Sequence, residues 1–270
     1  MKKKITGISL LFLIILCTGC NGTITRDLRH DGFSVSDKFI CDEFYPEKKN
    51  DTSYKKVKYM TDKNIIDSNG YIYEISLGQL YSNKQNCKKA STSIVVKAIY
   101  DNKIIKGTDN KYYYLDSYSF IPETDNSYEL YKMLLGENNV VKVMTANTDK
   151  GIYYLLKSDG NIYSYTITKA DYNSPYKIIS RTIAYDKSDY GSNIIDFNYV
   201  GDNPSTYIKT EDSIHRMKAI NYSDCSKYAD VSCIYEMKKD EVINKYKDRI
   251  IAYNGKTVIT DYKQIFTISE

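Results

Sequence analysis

Apolar and polar residues alternate in short runs along most of this chain, and the runs break at small polar residues. In "LLKSDGNIYSY" (Leu155–Tyr165) two leucines lead in, Ser158, Asp159 and Gly160 turn, and Ile162, Tyr163 and Tyr165 lead out. A period of two predicts a strand with one buried face. Asp and Gly suit the turn because they tolerate left-handed backbone or bond to their own main chain. The stretch therefore predicts a β-hairpin. The pattern returns at an offset of 52 in "YIKTEDSIHRM" (207–217), and 51 further on in "VITDYKQIFTI" (258–268). It also stands 90 residues earlier in "IIDSNGYIYEI" (65–75), while "IIKGTDNKYYYL" (104–115) fits with one more residue in its turn. The residues in phase are Ile72, Tyr112, Ile162, Ile214 and Ile265, spaced by 40, 50, 52 and 51.

A strand repeat of about 40–50 residues marks a β-propeller, whose blades cannot bury both faces alone and must stack in a ring. The expected fold is all-β and propeller-like, with about five blades of roughly 40–52 residues across residues 32–270. Successive hairpins would also suit a β-sandwich or a β-barrel. The last hairpin ends near Glu270, so a ring closes only if N-terminal residues such as "GFSVSDKFICDEF" (32–44) complete the last blade. Two stretches break the pattern. "DNSYELYKMLLG" (125–136) has helical spacing, Asp125 or Ser127 as a cap and Gly136 as a stop, and "KKDEVINKYKDRI" (238–250) is a second short helix candidate. Both read as insertions between blades.

The third unit, "LLGENNVVKVMTANTDKGIYYLLKSDGNIYSY" (134–165), resembles the repeat of the regulator of chromosome condensation family, also a β-propeller. "NIIDFNYVGDNPSTYIKTEDSIHRM" (193–217) follows the same plan of a Val/Ile strand, a turn, a strand, a polar turn and a strand. The chain lacks most of that family's glycines and has no Trp. The resemblance implies the fold only, not nucleotide exchange or chromatin binding.

The N-terminus gives an address. "MKKKITGISLLFLIILCTGC" (1–20) joins a cationic start to an apolar run, Ile8–Cys17, interrupted by Ser9. About 10 residues are too few to span a bilayer as a helix, which takes roughly 20. Small residues follow, as in a cleaved export signal. "CTGC" (Cys17–Cys20) resembles the lipobox of bacterial lipoproteins, although Cys17 stands where that family usually has Leu. The resemblance implies a signal peptide over 1–19 and a diacylated, then N-acylated, Cys20. Asn21, in place of an Asp at that position, implies transport to the outer membrane, facing the periplasm. Two or three acyl chains make a stable anchor. Residues 20–31 then form the lipidated cysteine and a polar tether.

Composition supports this picture. Hydrophobic residues make up 42% of the 270, with 29 Tyr and four Pro, which favours pleated, half-buried strands. Loss of Lys2, Lys3 and Lys4 with the signal takes the net charge from +4 to +1. No basic stripe is left to neutralise several phosphates, which argues against nucleic acid as a partner. Beyond Cys17 and Cys20 four cysteines remain, and an even number in an exported chain points to disulfides. Of the three connectivities, Cys41–Cys87 with Cys225–Cys233 is favoured, since the second pair spans the short polar loop "CSKYADVSC".

Chemistry is sparse. The four remaining cysteines form no C-x-x-C pair, and His30 and His215 lie far from any paired-ligand spacing, so neither a metal nor another cofactor is expected. There is no GxSxG, HExxH, Walker or dinucleotide loop; His215 reads as a packed or surface strand residue, and His30 lies in the tether. The chain reads as a non-enzyme. Tyr112, Tyr113 and Tyr114 in "KYYYL" and Tyr153 and Tyr154 in "GIYYLL" are candidates for a binding surface, or else pack within the sheet. Two functions are expected from different classes. One is a lipid-anchored scaffold that binds an envelope protein, in secretion, pilus or envelope assembly or in toxin neutralisation. The other is a carbohydrate-binding or glycan-cleaving envelope protein. A groove where Tyr and Asp/Glu converge would favour the second, and a flat Tyr-rich face the first.

Overall fold

The computed structural model describes residues 33–39, 41–45, 54–76, 87–171, 174–201, 203, 205–219, 235–261 and 263–268. The leader, Cys20, the tether and Cys225 and Cys233 fall outside them. The described chain is all-β, in four open sheets. The first runs β2 (Val57–Met60), β3 (Asn64–Asp67), β4 (Ile72–Ile75) and β5 (Cys87–Lys89) in chain order. The seven-stranded sheet joins two meanders. One comprises β6 (Val96–Tyr100), β7 (Ile104–Gly107) and β8 (Tyr112–Tyr114); the other comprises β9 (Val140–Asn147), β10 (Ile152–Lys157), β11 (Ile162–Thr168) and β12 (Lys177–Tyr185). Their link is a short parallel contact in which Ile99 and Tyr100 of β6 face Lys142 and Val143 of β9. The next sheet is β13 (Ile194–Asn198), β14 (Tyr207–Thr210), β15 (Ile214–Ala219) and β16 (Tyr235–Lys239). The last is β17 (Ile250–Tyr253), β18 (Thr257–Thr260) and β19 (Gln264–Ile268), with β1 (Phe33–Lys38) added antiparallel to β19.

All five hairpins expected from the alternation are present, as β3–β4, β7–β8, β10–β11, β14–β15 and β18–β19. The five phase residues are buried. The turn carboxylates act locally. Asp67, Asp109 and Asp159 each accept a main-chain N–H two residues ahead, from Asn69, Lys111 and Asn161. One feature of every unit lies in the strand before the hairpin. Each of β2, β6, β9, β13 and β17 carries one extra residue against its neighbour, namely Lys58, Lys97, Val141, Ile195 and Ile251. A bulge at that place bends the strand and raises its twist.

Side chains between the meanders form five apolar clusters. Ile66 and Ile72 meet Ile99 and Ile105. Ile104 and Tyr112 meet Val143, Leu155 and Tyr165. Leu156 and Ile162 meet Phe197 and Ile208. Tyr207 and Ile214 meet Tyr253 and Phe266. Ile259 and Ile265 meet Ile65 and Tyr73, along with Phe39 and Phe44.

The helix expected within 125–136 is α1 (Tyr128–Gly136), with Ser127 at its N-cap position and Asp125 accepting the Ser127 N–H. It buries Leu134 and Leu135 against the second cluster. The expected 238–250 helix is a short α3 (Glu241–Lys245) capped by Asp240, then a 3-10 turn at Lys247–Arg249. A further one-turn helix, α2 (Lys187–Tyr190), starts on Asp186 and stops at Gly191 in the left-handed region. Among the described residues no helix is long and apolar enough to cross a membrane.

Gly70 shows how tightly a hairpin turn meets the next strand. Its φ is +87°, its carbonyl accepts the Val96 N–H at 2.8 Å, and an added Cβ would lie 2.5 Å from the Val96 oxygen. Gly70→Ala is expected to cost at least about 1–2 kcal/mol, from the left-handed backbone alone. A shift in urea midpoint checks it; an unchanged midpoint would mean the turn stands clear of β6.

Candidate functional site

Two clusters carry charge in unusual surroundings. The first is buried between the strands β2, β9 and β13. Lys142 of β9 is 0% exposed and Asp196 of β13 3%. They occupy equivalent places, each directly after the bulged residue, as does Tyr59 in β2. The Lys142 ammonium donates to Asp196 Oδ1 at 2.8 Å and sits 5.4 Å from the centre of the Tyr59 ring. Tyr207 donates to Asp196 Oδ2 at 2.7 Å, and the Phe197 N–H to Oδ1 at 2.9 Å. Tyr59 donates to the Val141 carbonyl. Burial, with the Asp196 charge behind it, pushes the Tyr59 and Tyr207 hydroxyls well above their ordinary pKa, so both stay protonated donors. Lys58 and Lys209 feel the same carboxylate, but burial moves both ammonium groups down. The cluster ties three strands together with its charges hydrogen-bonded. Such a set fixes register more than it adds net stability.

The second cluster is open. A groove of about 410 Å³ runs between the segment after α1 and strands β11 and β12, lined by Asn138, Lys157, Asp159, Tyr163, Arg181 and Ile183 among others. Glu137, which follows Gly136, lies behind this lining and ties three of its side chains together. Its carboxylate accepts from Tyr165 at 3.0 Å and from Arg181 at 2.7 Å, with Lys157 at 3.5 Å. Burial works against the Lys157 ammonium, yet Tyr165 and Glu137 beside it hold its pKa above the ordinary value. The aromatic faces are taken. Lys157 lies over the rings of Tyr163 and Tyr165, and Arg181 over Tyr165. Asp159 is engaged too, accepting from Tyr163 at 2.7 Å.

The five tyrosines singled out in the sequence do not share one surface. Tyr112 and Tyr153 are buried in the cluster around α1. Tyr113 is half-buried, tied by its hydroxyl to Asp109 and edge-on to Phe120. Tyr114 donates to Asp125. Tyr154 packs edge-to-face between Tyr185 and Tyr199. Cys41 and Cys87 are bonded to each other, as expected. His215, the second residue of β15, meets Ser213 Oγ at 2.8 Å and the Tyr190 ring edge-on. Sequence reading did not find Lys142, Asp196, Glu137 or Arg181. The only signal for the first two is a lone charge inside an apolar run, in "VVKVM" and "IIDFN".

Burial, then the nearby Lys239 charge, lowers the His215 pKa from its ordinary 6.5. The unfolded chain therefore binds a proton that the folded chain resists. This part of the stability is present in full above about pH 6.5 and is lost as pH falls through the lowered folded value. His215→Gln is expected to flatten the drop in melting temperature between pH 7 and pH 5 relative to the parent; equal slopes would remove His215 from the account.

Against protein-family models, curated proteins and solved structures, the chain has no match.

Proposed function

We propose that this chain is a five-bladed β-propeller, held in the bacterial envelope by lipid on Cys20, and that it acts there as a non-catalytic scaffold for another envelope protein. Three features support the ring. The inner strand of each unit bulges at the same place. The five apolar clusters link each meander to the next, and the last back to the first. β1 supplies the fourth strand beside β19. Counted this way, the seven-stranded sheet is two blades, the first of them short.

The observation that carries the scaffold reading is that the groups around the open groove beside β12 are already paired with one another. The groove brings Tyr and carboxylates together, which is the specific point in favour of the glycan reading. Its carboxylates are engaged by Tyr165, Arg181 and Tyr163, and its ring faces are covered by Lys157 and Arg181. A sugar ring would have to displace those cations to stack, so a protein surface fits better. Crosslinking in intact envelopes, beside a Cys20→Ala control, tests the proposal. One stoichiometric protein partner, weakened when the anchor is lost, is expected. Retention of peptidoglycan or polysaccharide fragments and no protein would overturn it in favour of glycan binding.

A further inference from the structure

Strands at the edge of a sheet expose unpaired main-chain groups, and proteins blunt them by shortness, charge, bulges or cover. Four of the outer strands here follow that rule. β5 is three residues, two of them lysines. β8 is three residues and is covered by the bridge between Tyr113 and Phe120. β16, "YEMKK", is mostly charged, and β1 is bulged between Val35 and Asp37. β12 differs. It is nine residues, "KIISRTIAY", and among the described residues no strand pairs with its outer side. Ile179 and Ile183 are 65% and 51% exposed on it. It is bulged like β1, at Ile179 and Ala184, but its greater length leaves Ser180–Ile183 in regular register with β11. The strand's only charges are Lys177 and Arg181, with no acidic residue along its length.

We propose that β12 is a strand-addition site for an extended, acidic segment of a partner protein. The proposal rests on the scaffold reading and names the mode of binding. Main-chain pairing with the free edge supplies affinity, and side-chain pockets supply specificity. The groove beside Tyr163, Arg181 and Ile183 takes the side chains of one face of the incoming strand. Acidic residues set opposite Lys177 and Arg181, which the bulge at Ile179 turns to opposite faces of the sheet, make favourable cross-strand pairs, the second in exchange for the Arg181–Glu137 contact, and basic residues there repel. This argues against a second copy as the occupant, because β12 pairing with itself about its centre would set Arg181 against Arg181.

The test uses the full chain in detergent micelles and two capped ten-residue valine–threonine peptides, one with two glutamates three residues apart to face both cations, the other with lysines at the same places. Saturable binding of the glutamate peptide, about tenfold tighter than the lysine peptide, is expected. Amide exchange should slow over residues 177–185, and the preference should vanish in a Lys177→Gln, Arg181→Gln double variant that melts within a few degrees of the parent. Equal binding of both peptides, protection elsewhere, or concentration-dependent dimerisation through β12 would overturn the proposal. Because the peptides need no membrane, peptide binding without a captured envelope partner would sink the scaffold reading alone. A captured partner without peptide binding would sink the β12 edge alone.

Discussion

Asp196→Ala is expected to lower folding stability by about 3–5 kcal/mol, among the largest effects of any single substitution in this chain. The carboxylate holds three donors, from Lys142, Tyr207 and Phe197. Its removal leaves the Lys142 ammonium, which is 0% exposed, with only the face of Tyr59 for company. An uncompensated buried charge costs far more than the pair contributes over an apolar replacement. The Tyr207 hydroxyl loses its short bond but keeps the Tyr253 carbonyl, 3.4 Å away, as an acceptor, so the Lys142 charge dominates the loss. Lys142→Met combined with Asp196→Leu removes both charges and should recover most of the loss. A double-mutant cycle from urea midpoints reads the coupling. A cost below about 1 kcal/mol for Asp196→Ala, as for an exposed pair, would mean that water reaches the two groups.

The contrast between these two residues and the hairpins shows what the sequence makes legible. A hairpin is local: "SDG" sits between its own strands, and the period-two pattern assigns each residue a face. So Ile72, Ile162 and Ile214 open the outgoing strands as expected, and all are buried. The tyrosine runs obey the same alternation, with Tyr112 and Tyr153 turned into the core. The helix before Gly136 was legible from its spacing, and α2 had a readable start at Asp186 and stop at Gly191 that its four-residue length hid. The strand before each hairpin was less legible, because a bulge shifts the alternation in its first two residues. Lys142 and Asp196 meet across 54 residues of chain, a separation that no local pattern encodes. The Glu137 hub has the same origin: Arg181 reaches it from 44 residues away. The edge character of β12 follows from which strand lies beside it, which is a property of the sheet and not of "KIISRTIAY".

Loss of the Cys41–Cys87 bond is expected to have an effect of similar size. Cys41 follows β1, the added strand of the last sheet, and Cys87 opens β5, the outer strand of the first. The two are 46 residues apart, and in the chain-entropy account a closed loop of that length is worth about 4 kcal/mol. Both sulfurs lie in the cluster that also holds Phe39, Phe44, Ile65 and Tyr73, so the bond pins the segment after β1 where the first and last sheets meet. Cys41→Ala with Cys87→Ala should lower the urea midpoint accordingly, and chain made in a reducing compartment should match the double variant. The location of the loss is the sharper readout. If the bond holds β1 in place, amide exchange should speed first over residues 33–38 and their partners in β19, while β9 and β10, inside the seven-stranded sheet, keep their protection. Uniform loss across every sheet would mean that the molecule opens as one unit and that the bond acts on the unfolded chain. A double variant as stable as the parent would mean that β1 holds to β19 by main-chain pairing and the packing of Phe39 and Phe44 alone.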